Sequence, residues 1–188
     1  MIRLTWQSGS EEETARLGAA LGAALVPPLW IGLEGPLGAG KTRFAAGLAQ
    51  GLGYRGRVRS PTFVLENRYS GRTSIRHLDL YRLEAPDEEM VASWDEDPRS
   101  VIVVEWAERA AERPERALRV VIDPLGPDES GDPDRRGGAS GPNGDSLRWV
   151  TIEWEGRDLL LHDLRLEGIS RPAETTDADP RSPAERAQ

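Results

Sequence analysis

A glycine-rich segment in the first quarter of the chain has the composition of a phosphate-binding loop. Residues 35–42 read GPLGAGKT and match the pattern G-x-x-x-x-G-K-[ST], in which glycines let successive backbone N–H groups converge on phosphate oxygens. The Lys41 ammonium would hold the β and γ phosphates, and the Thr42 hydroxyl would take one position on Mg²⁺. The predicted nucleotide-binding residues are Gly35, Leu37, Gly38, Ala39, Gly40, Lys41 and Thr42.

Lys41 is the single lysine of a chain whose other 23 basic residues are arginines. A compact ammonium fits between two phosphates inside such a loop, whereas the planar guanidinium of arginine does not. Guanine-specific GTPases read their base with an N/T-K-x-D segment, and no second lysine exists here to form one. The LSGGQ-like signature of transporter ATPases is absent as well. We therefore predict ATP, with Mg²⁺, rather than GTP as the ligand.

Two carboxylates are candidates for the magnesium ion that accompanies the nucleotide. Glu105 follows the β-branched run 101–104, which is typical of a parallel strand covered on both faces. Asp79 lies in a segment of alternating polar and apolar residues. Because the carboxyl ends of parallel strands adjoin the ligand in folds of this kind, Glu105 would be near the phosphates, and Asp79 is the alternative. Thr62, in the sequence SPTF that begins at Ser60, would be placed to sense the γ-phosphate as switch threonines do.

The overall composition limits the remaining classes of protein. With 188 residues, a net charge of −8 and no cysteine, we expect one domain without a disulfide scaffold, a thiolate metal site or a cysteine nucleophile. The two histidines, His77 and His162, are isolated, which disfavours a transition-metal site. The acidic balance disfavours binding to nucleic acid by overall charge. The uncharged stretch 17–33 is interrupted by Pro27 and Pro28, so we expect no membrane span and a cytoplasmic location.

Hydrophobic periodicity and turn residues predict alternating strands and helices. Ser10, with Glu13 three positions later, predicts a capped start for the first helix. Two further helices are predicted from Thr42 and near Pro86. The predicted strands are 2–6, 29–33, 62–69, 74–81, 101–104 and 117–122, followed by a hairpin of 149–154 with 159–166.

Composition also separates a folded part from two polar segments. Residues 124–147 are mostly Gly, Pro, Asp and Ser, so we expect a flexible insert there, a disordered tail over 170–188, and a single P-loop ATPase domain over 1–169. Charge is uneven too, since residues 54–82 carry seven arginines and two acids, whereas 83–97 carry seven acids and no base. These stretches are either two solvated faces that attract each other or a basic surface beside the phosphate site that faces nucleotide or a partner.

The motifs taken in order resemble those of the TsaE family, the ATPases of bacterial tRNA threonylcarbamoyladenosine biosynthesis. The resemblance is carried by GPLGAGKT, SPTF, HLDLYRL and VIVVEWAER, and it covers residues 8–123. It implies an α/β fold of the P-loop NTPase type, with a mostly parallel central sheet, helices on both faces and flanking antiparallel strands. It also implies that ATP is bound with Mg²⁺ and hydrolysed slowly by one subunit of a complex with TsaB and TsaD, which contacts tRNA only indirectly.

The resemblance also implies a role for each candidate residue. These roles are magnesium binding by Thr42 and Glu105, phosphate binding by Lys41, hydrolysis by Asp79, a switch-like loop with Ser60 and Thr62, and a functional position for Trp106 beside Glu105. Three segments depart from the family pattern, namely the acidic stretch 84–99, the insert and the tail. We expect contacts made by the acidic stretch to differ from those of the family.

Two other functions remain open at this point. A free-standing small-molecule kinase would close a lid of several arginines over the phosphates, and Arg55, Arg57 and Arg59 would suit that purpose. A nucleotide-dependent binding module would require Lys41 but would tolerate the loss of the acids Asp79 and Glu105. Phosphate transfer to a metabolite in the absence of any protein partner would identify the kinase.

Overall fold

The computed structural model describes residues 2–27, 29–95, 97, 99–124, 147–154 and 173–174. These residues form one sheet of eight strands in the order β3-β4-β5-β2-β6-β7-β1-β8. The strands are β1 (Ile2–Ser8), β2 (Leu29–Glu34), β3 (Glu66–Ser70), β4 (Ser74–Asp79), β5 (Ser100–Glu105), β6 (Ala117–Asp123), β7 (Arg148–Trp154) and β8 (Ala173–Glu174). The helices are α1 (Glu11–Ala24), α2 (Lys41–Gly51) and α3 (Glu88–Ala92), with 3₁₀ turns at Ser93–Asp95 and Ala107–Arg109.

The centre of the sheet is parallel and its borders are antiparallel. Strands β4, β5, β2 and β6 run parallel to one another. Strand β3 lies antiparallel beside β4, and β7 lies antiparallel between β6 and β1. Strands β2 and β5 are buried at every residue, as expected for apolar, parallel strands covered on both faces. The predicted fold class, α/β with a mostly parallel central sheet and flanking antiparallel strands, is confirmed.

Helices cover both faces of the parallel strands, as predicted. On one face, α1 and α2 pack over the larger core, which includes Leu21, Phe44 and Leu48. On the other face, α3 and the two 3₁₀ turns pack around Trp30 and Trp94, whose ring centroids lie 5.5 Å apart. The second face is therefore covered by short helical pieces in the part of the chain that the structure describes.

Helices α1 and α2 pack with their backbones in direct contact, because glycines line the interface between them. An added Cβ at Gly18 would lie 2.3 Å from a carbonyl oxygen of α2, and one at Gly47 would lie 1.8 Å from a carbonyl oxygen of α1. The pattern repeats one turn later on each helix, at Gly22 and Gly51, where the corresponding distances are 2.3 Å and 2.1 Å. This contact holds α2 in place, and the first turn of α2 carries the end of the predicted phosphate-binding loop, residues 35–42 (the phosphate loop).

Helix α1 begins at its predicted cap. The Ser10 hydroxyl oxygen accepts a hydrogen bond of 3.1 Å from the Glu13 N–H. The Glu13 carboxylate in turn accepts a bond of 2.6 Å from the N–H of Gly9, one residue before the cap. The predicted capping arrangement is therefore confirmed, except that the Glu13 carboxylate accepts from the N–H of Gly9 and not from that of Ser10.

The predicted strand 62–69 is wrong in its first half, since β3 begins only at Glu66. The preceding residues form a turn that is closed by a hydrogen bond of 2.7 Å from the Leu65 N–H to the Pro61 carbonyl oxygen. Leu65 has a φ of 65°, in the left-handed region, which is incompatible with a strand. Residues 60–63 (SPTF) thus form a loop and do not extend the strand. The hydroxyl groups of Ser60 and Thr62 contact Asp79 at the end of β4.

The remaining predicted elements follow the structure closely where it describes them. Strand β4 ends at Asp79, two residues before the predicted end. The first arm of the predicted terminal hairpin is β7, while 159–166 lie outside the described residues. Residues 125–146 of the predicted insert and most of the predicted tail also lie outside them, although Ala173–Glu174 pairs with β1. Among the described residues, no helix has both the length and the apolar character needed to cross a membrane.

A row of alternating charges ties the start of the phosphate loop to the antiparallel strands. Its ion pairs join Arg113, Glu34, Arg119, Glu153 and Arg3 in that order, with N–O distances between 2.6 and 2.9 Å. Burial alone would raise the pKa of Glu153, but hydrogen bonds and charge from Arg119 and Arg3 hold it below its ordinary value. Hydrogen bonds to Glu34 in turn raise the pKa of Arg119. Because Glu34 is the last residue of β2, the row anchors the strand end from which the loop departs.

We expect Glu153→Gln to lower the free energy of unfolding by about 2 kcal/mol at neutral pH, because Arg119 and Arg3 lose a charged partner. The folded pKa of Glu153 is lowered, so its carboxylate adds stability above the ordinary value of 4.5 that is lost as pH falls through the folded value. Urea unfolding should therefore show that the native chain loses more stability than the variant between neutral pH and about pH 3. Glu11→Gln, at the exposed ion pair with Arg43, is the control and should change little. Equal losses in the native chain and Glu153→Gln would contradict this account.

Candidate functional site

The phosphate loop and both candidate acids meet at the carboxyl edge of the parallel strands. The loop follows β2 directly, while Asp79 is the last residue of β4 and Glu105 the last residue of β5. In the register of the sheet, Asp79 lies beside Glu105, and Glu105 lies beside Leu33 of β2. This edge is the place where open α/β sheets bind ligands. The fold therefore gathers three distant segments of the sequence into one candidate site.

Three glycines give the loop a backbone that other residues adopt only with strain. Gly35, Gly38 and Gly40 have φ values of 135°, 80° and 110°. A Cβ on Gly35 would also lie 2.2 Å from a carbonyl oxygen of β6. Between these glycines, Leu37 is exposed at the tip of the loop and Ala39 is buried beneath it. Gly40 then caps α2, so the unpaired N–H groups of the first helical turn border the loop.

The Lys41 side chain is folded back onto its own loop. Its Nζ donates to the carbonyl oxygens of Gly35, at 2.6 Å, and of Pro36, at 2.9 Å. The same ammonium lies 3.8 Å from the centroid of the Trp106 ring, a favourable cation–π distance. Burial lowers the pKa of Lys41, while nearby acids, above all Glu105, act in the opposite direction. A bound phosphate would therefore have to replace the two carbonyl oxygens as the partner of the ammonium.

Glu105 connects the first turn of α2 to the interior of the sheet. Its Oε2 accepts a hydrogen bond of 3.0 Å from the Thr42 hydroxyl. Its Oε1 lies 2.9 Å from Nε2 of His77, and both side chains are buried. Each carboxylate oxygen thus has a separate partner, which fixes the orientation of the group.

Asp79 holds the SPTF loop against the end of β4. Its Oδ2 accepts hydrogen bonds from the hydroxyl groups of Ser60, at 3.0 Å, and Thr62. Its Oδ1 accepts a bond of 2.9 Å from the N–H of Tyr81. The structure thus brings Ser60 and Thr62 to the candidate site, with their hydroxyl groups directed at Asp79.

Trp106 adopts a backbone conformation that is unusual for its type. Its φ of 61° lies in the left-handed region, which costs a non-glycine residue about 1–3 kcal/mol. The ring packs against Tyr81, with centroids 4.9 Å apart, and the Arg109 guanidinium lies 5.7 Å from its centroid. These contacts hold the indole over the Lys41 ammonium, so the residue next to Glu105 contacts the phosphate loop directly.

The oxygen atoms around Thr42 suit a magnesium ion. A hydroxyl and a carboxylate oxygen lie 3.0 Å apart, and both are hard ligands of the kind that Mg²⁺ prefers. No group of three His, Asp or Glu side chains gathers at metal-binding distance within the described residues. Mg²⁺ commonly uses one or two protein ligands and completes its shell with substrate phosphates and water. The residues present therefore fit Mg²⁺ held together with a nucleotide.

His77 is the residue of this site that sequence reasoning missed. In the sequence it is an isolated histidine, because no other histidine or cysteine stands at ligand spacing. The available signal was its position two residues before Asp79, since strand residues two apart share a face of the sheet. Its contact with Glu105 depends on the pairing of β4 with β5, which the local sequence does not show.

A cleft of about 460 Å³ adjoins the site along one side of α2. Its lining includes Thr42 and Ser60 and three arginines, Arg43, Arg57 and Arg59. Arg43 pairs with Glu11, whereas Arg57 and Arg59 form no ion pair with any residue that the structure describes. The cleft is thus a positively charged extension of the edge where Thr42 and Ser60 lie.

Comparison with known proteins gives consistent matches. A family model described as "Threonylcarbamoyl adenosine biosynthesis protein TsaE" matches residues 8–130. A tRNA threonylcarbamoyladenosine biosynthesis protein TsaE from Bacillus subtilis (strain 168) is 37% identical over 131 residues, which cover 69% of this chain and 83% of the relative. The protein of the same name from Treponema pallidum (strain Nichols) is 41% identical over 123 residues, covering 62% of this chain and 91% of the relative. A crystal structure of Bacillus subtilis YdiB superposes with a TM-score of 0.63 and 28% identity, covering 87% of this chain and 95% of that one.

Proposed function

The chain belongs to the TsaE family of tRNA threonylcarbamoyladenosine biosynthesis, and from this we propose that it binds ATP with Mg²⁺ and hydrolyses it slowly as a subunit that acts with TsaB and TsaD. The observation that carries the proposal is the contact between Thr42 and Glu105 at the end of the phosphate loop. It joins a hydroxyl and a carboxylate where a nucleotide-borne magnesium ion would lie. We place this activity in the cytoplasm and expect tRNA to be contacted only through the partners.

Each residue of the site has a distinct part in this proposal. The Lys41 ammonium would leave the carbonyl oxygens of its loop and bind the β and γ phosphates. Thr42 and Glu105 would hold Mg²⁺. The bound ion would neutralise the charge that develops on the phosphate oxygens. Asp79 would orient the attacking water once the Thr62 hydroxyl leaves it.

Two hydrogen-bonding contacts within the chain support slow hydrolysis by the isolated subunit and its stimulation by a partner. Lys41 is bonded to its own loop, and Thr62 is bonded to Asp79, so two functional groups are occupied within the chain itself. Releasing them costs free energy, which partner contacts would offset. ATP turnover by the isolated subunit should therefore be slow.

The test combines the chain with TsaB and TsaD and measures ATP turnover and modified adenosine per complex. We expect association, faster ATP hydrolysis, and modified tRNA beyond one turnover of the complex. If the proteins neither associate nor stimulate one another, the proposed partnership is wrong.

We expect Asp79→Asn to lower ATP hydrolysis by about tenfold while ATP affinity stays near that of the native chain, because Asp79 would act on water rather than on phosphate. This effect is smaller than the roughly 10²–10⁴-fold typical of a general acid or base, because the native rate of hydrolysis is itself slow. Single-turnover hydrolysis and equilibrium binding of ATP measure the two quantities. Asp87→Asn, at the cap of α3, makes the same chemical change away from the site and should alter neither. Unchanged hydrolysis by Asp79→Asn would favour a nucleotide-dependent binding module.

A free-standing small-molecule kinase is the second candidate, and the cleft with Arg57 and Arg59 is the observation that favours it. The cleft would accept an anionic phosphoryl acceptor next to Thr42. Transfer of the γ-phosphate to a metabolite, without any protein partner, would establish this function instead.

A further inference from the structure

His77 makes its polar contact with Glu105 deep inside the sheet. The residue is 1% exposed, and its Nε2 lies 2.9 Å from Oε1 of Glu105. A carboxylate can only accept hydrogen bonds, so Nε2 carries the proton and donates it. The other oxygen of Glu105 accepts from the Thr42 hydroxyl at 3.0 Å. The imidazole and the hydroxyl thus hold the carboxylate from two sides.

The His77 ring itself is held by the sheet. It lies on β4 opposite Val103 of β5 and Asn67 of β3, and the Tyr69 ring centroid is 6.2 Å away. Its second nitrogen, Nδ1, has no hydrogen-bond partner among the described residues. A buried imidazole with one unpaired nitrogen is unfavourable for the fold by itself. The hydrogen bond to Glu105 is the interaction that accounts for a histidine at this position.

We propose that His77 is a positioning residue, which orients the Glu105 carboxylate so that its Oε2 faces Thr42 and a nucleotide-borne Mg²⁺. The proposal rests on the function proposed above. Side chains that orient a metal ligand commonly change metal affinity by about 10–100-fold when they are removed. Without the imidazole, the Glu105 carboxylate would rotate among several orientations. Its Oε2 would then no longer be held beside the Thr42 hydroxyl oxygen before Mg²⁺ binds.

The first test titrates Mg²⁺ against binding of a non-hydrolysable ATP analogue. For His77→Leu we expect the Mg²⁺ concentration at half-maximal binding to rise about tenfold, with unchanged affinity for the analogue in EDTA. His77→Gln, whose amide can donate to Glu105, should recover most of the loss. Ser100→Ala removes the hydrogen bond of another buried residue, to the Asp97 carbonyl oxygen at the far end of β5, and should bind like the native chain.

The outcomes separate this inference from the proposed function. If the native chain does not bind the analogue with Mg²⁺, the proposed function and the inference that rests on it both fail. If the native chain binds but His77→Leu shows the same Mg²⁺ dependence, only the inference fails. Weakening of equal size with and without Mg²⁺ would show a merely structural role for His77 and would also overturn it.

A second measurement needs no variant of His77 itself. The chain contains only two histidines, so the imidazole N–H resonances of ¹⁵N-histidine-labelled protein are readily assigned. We expect a protected Nε2–H signal from His77 that is lost in Glu105→Ala, which leaves the imidazole without its acceptor. The signal should move when Mg²⁺ and the analogue are added together, and it should stay in place with the analogue and EDTA. A signal that is insensitive to Mg²⁺ would contradict the positioning role, even if His77→Leu fails to fold.

Discussion

Lys41→Arg is expected to weaken binding of Mg²⁺–ATP by at least about 100-fold, or roughly 2.8 kcal/mol, which is nearly as much as Lys41→Ala. The ammonium lies in a narrow space between the carbonyl oxygens of Gly35 and Pro36 and the ring of Trp106. A planar guanidinium is larger and presents its donors as a fixed fork, so it cannot approach two phosphates as a point charge. Retaining the positive charge should therefore rescue little of the affinity.

The exchange of arginine and lysine at the next-but-one residue provides the matched control. Arg43→Lys alters an exposed side chain that pairs with Glu11, so it should leave both nucleotide affinity and stability almost unchanged. Equilibrium binding of ATP with Mg²⁺, measured together with the urea midpoint of each variant, separates loss of binding from loss of folding. Near-normal affinity of Lys41→Arg would show that the shape of the cation does not matter in this loop.

The parts of the site that depend on local sequence were predictable. The loop from Gly35 to Thr42 has its glycines where the backbone needs positive φ, and its lysine follows at the required spacing. The β-branched residues before Glu105 indicate a buried central strand, and the structure confirms that strand at Ser100–Glu105. Alternating residues around Asp79 likewise indicate β4. In each case the signal lies within a few residues of the feature it predicts.

The parts that depend on contacts between distant segments were not predictable. The hydrogen bond between His77 and Glu105 requires the parallel register of β4 and β5, and single-sequence periodicity does not contain that register. The turn before β3 was predicted as strand, because it contains β-branched and aromatic residues that are common in strands, but Leu65 takes a left-handed conformation there. The packing of Trp106 on Lys41 also follows from the fold and not from the spacing of the two residues.

The glycines of α1 and α2 illustrate the same limit on a larger scale. Glycine disfavours helix formation by about 1 kcal/mol relative to alanine. By this measure the two helices are weakened at four positions, Gly18, Gly22, Gly47 and Gly51. In the structure, the four residues form the contact through which α1 holds α2 against the sheet. Their cost to helix formation is therefore offset by close backbone packing between the two helices.

Gly47→Ala is accordingly expected to lower the free energy of unfolding by about 2 kcal/mol, although alanine is the better helix former. The added Cβ would lie 1.8 Å from the Ala15 carbonyl oxygen, and relieving this overlap requires α1 and α2 to separate. Ala46→Gly, on the adjacent position of α2, tests propensity alone and should cost about 1 kcal/mol. Urea unfolding of both variants gives the comparison. If Gly47→Ala were as stable as the native chain, the close approach of the helices would not hold α2 in place, and the geometry of Lys41 and Thr42 would need another support.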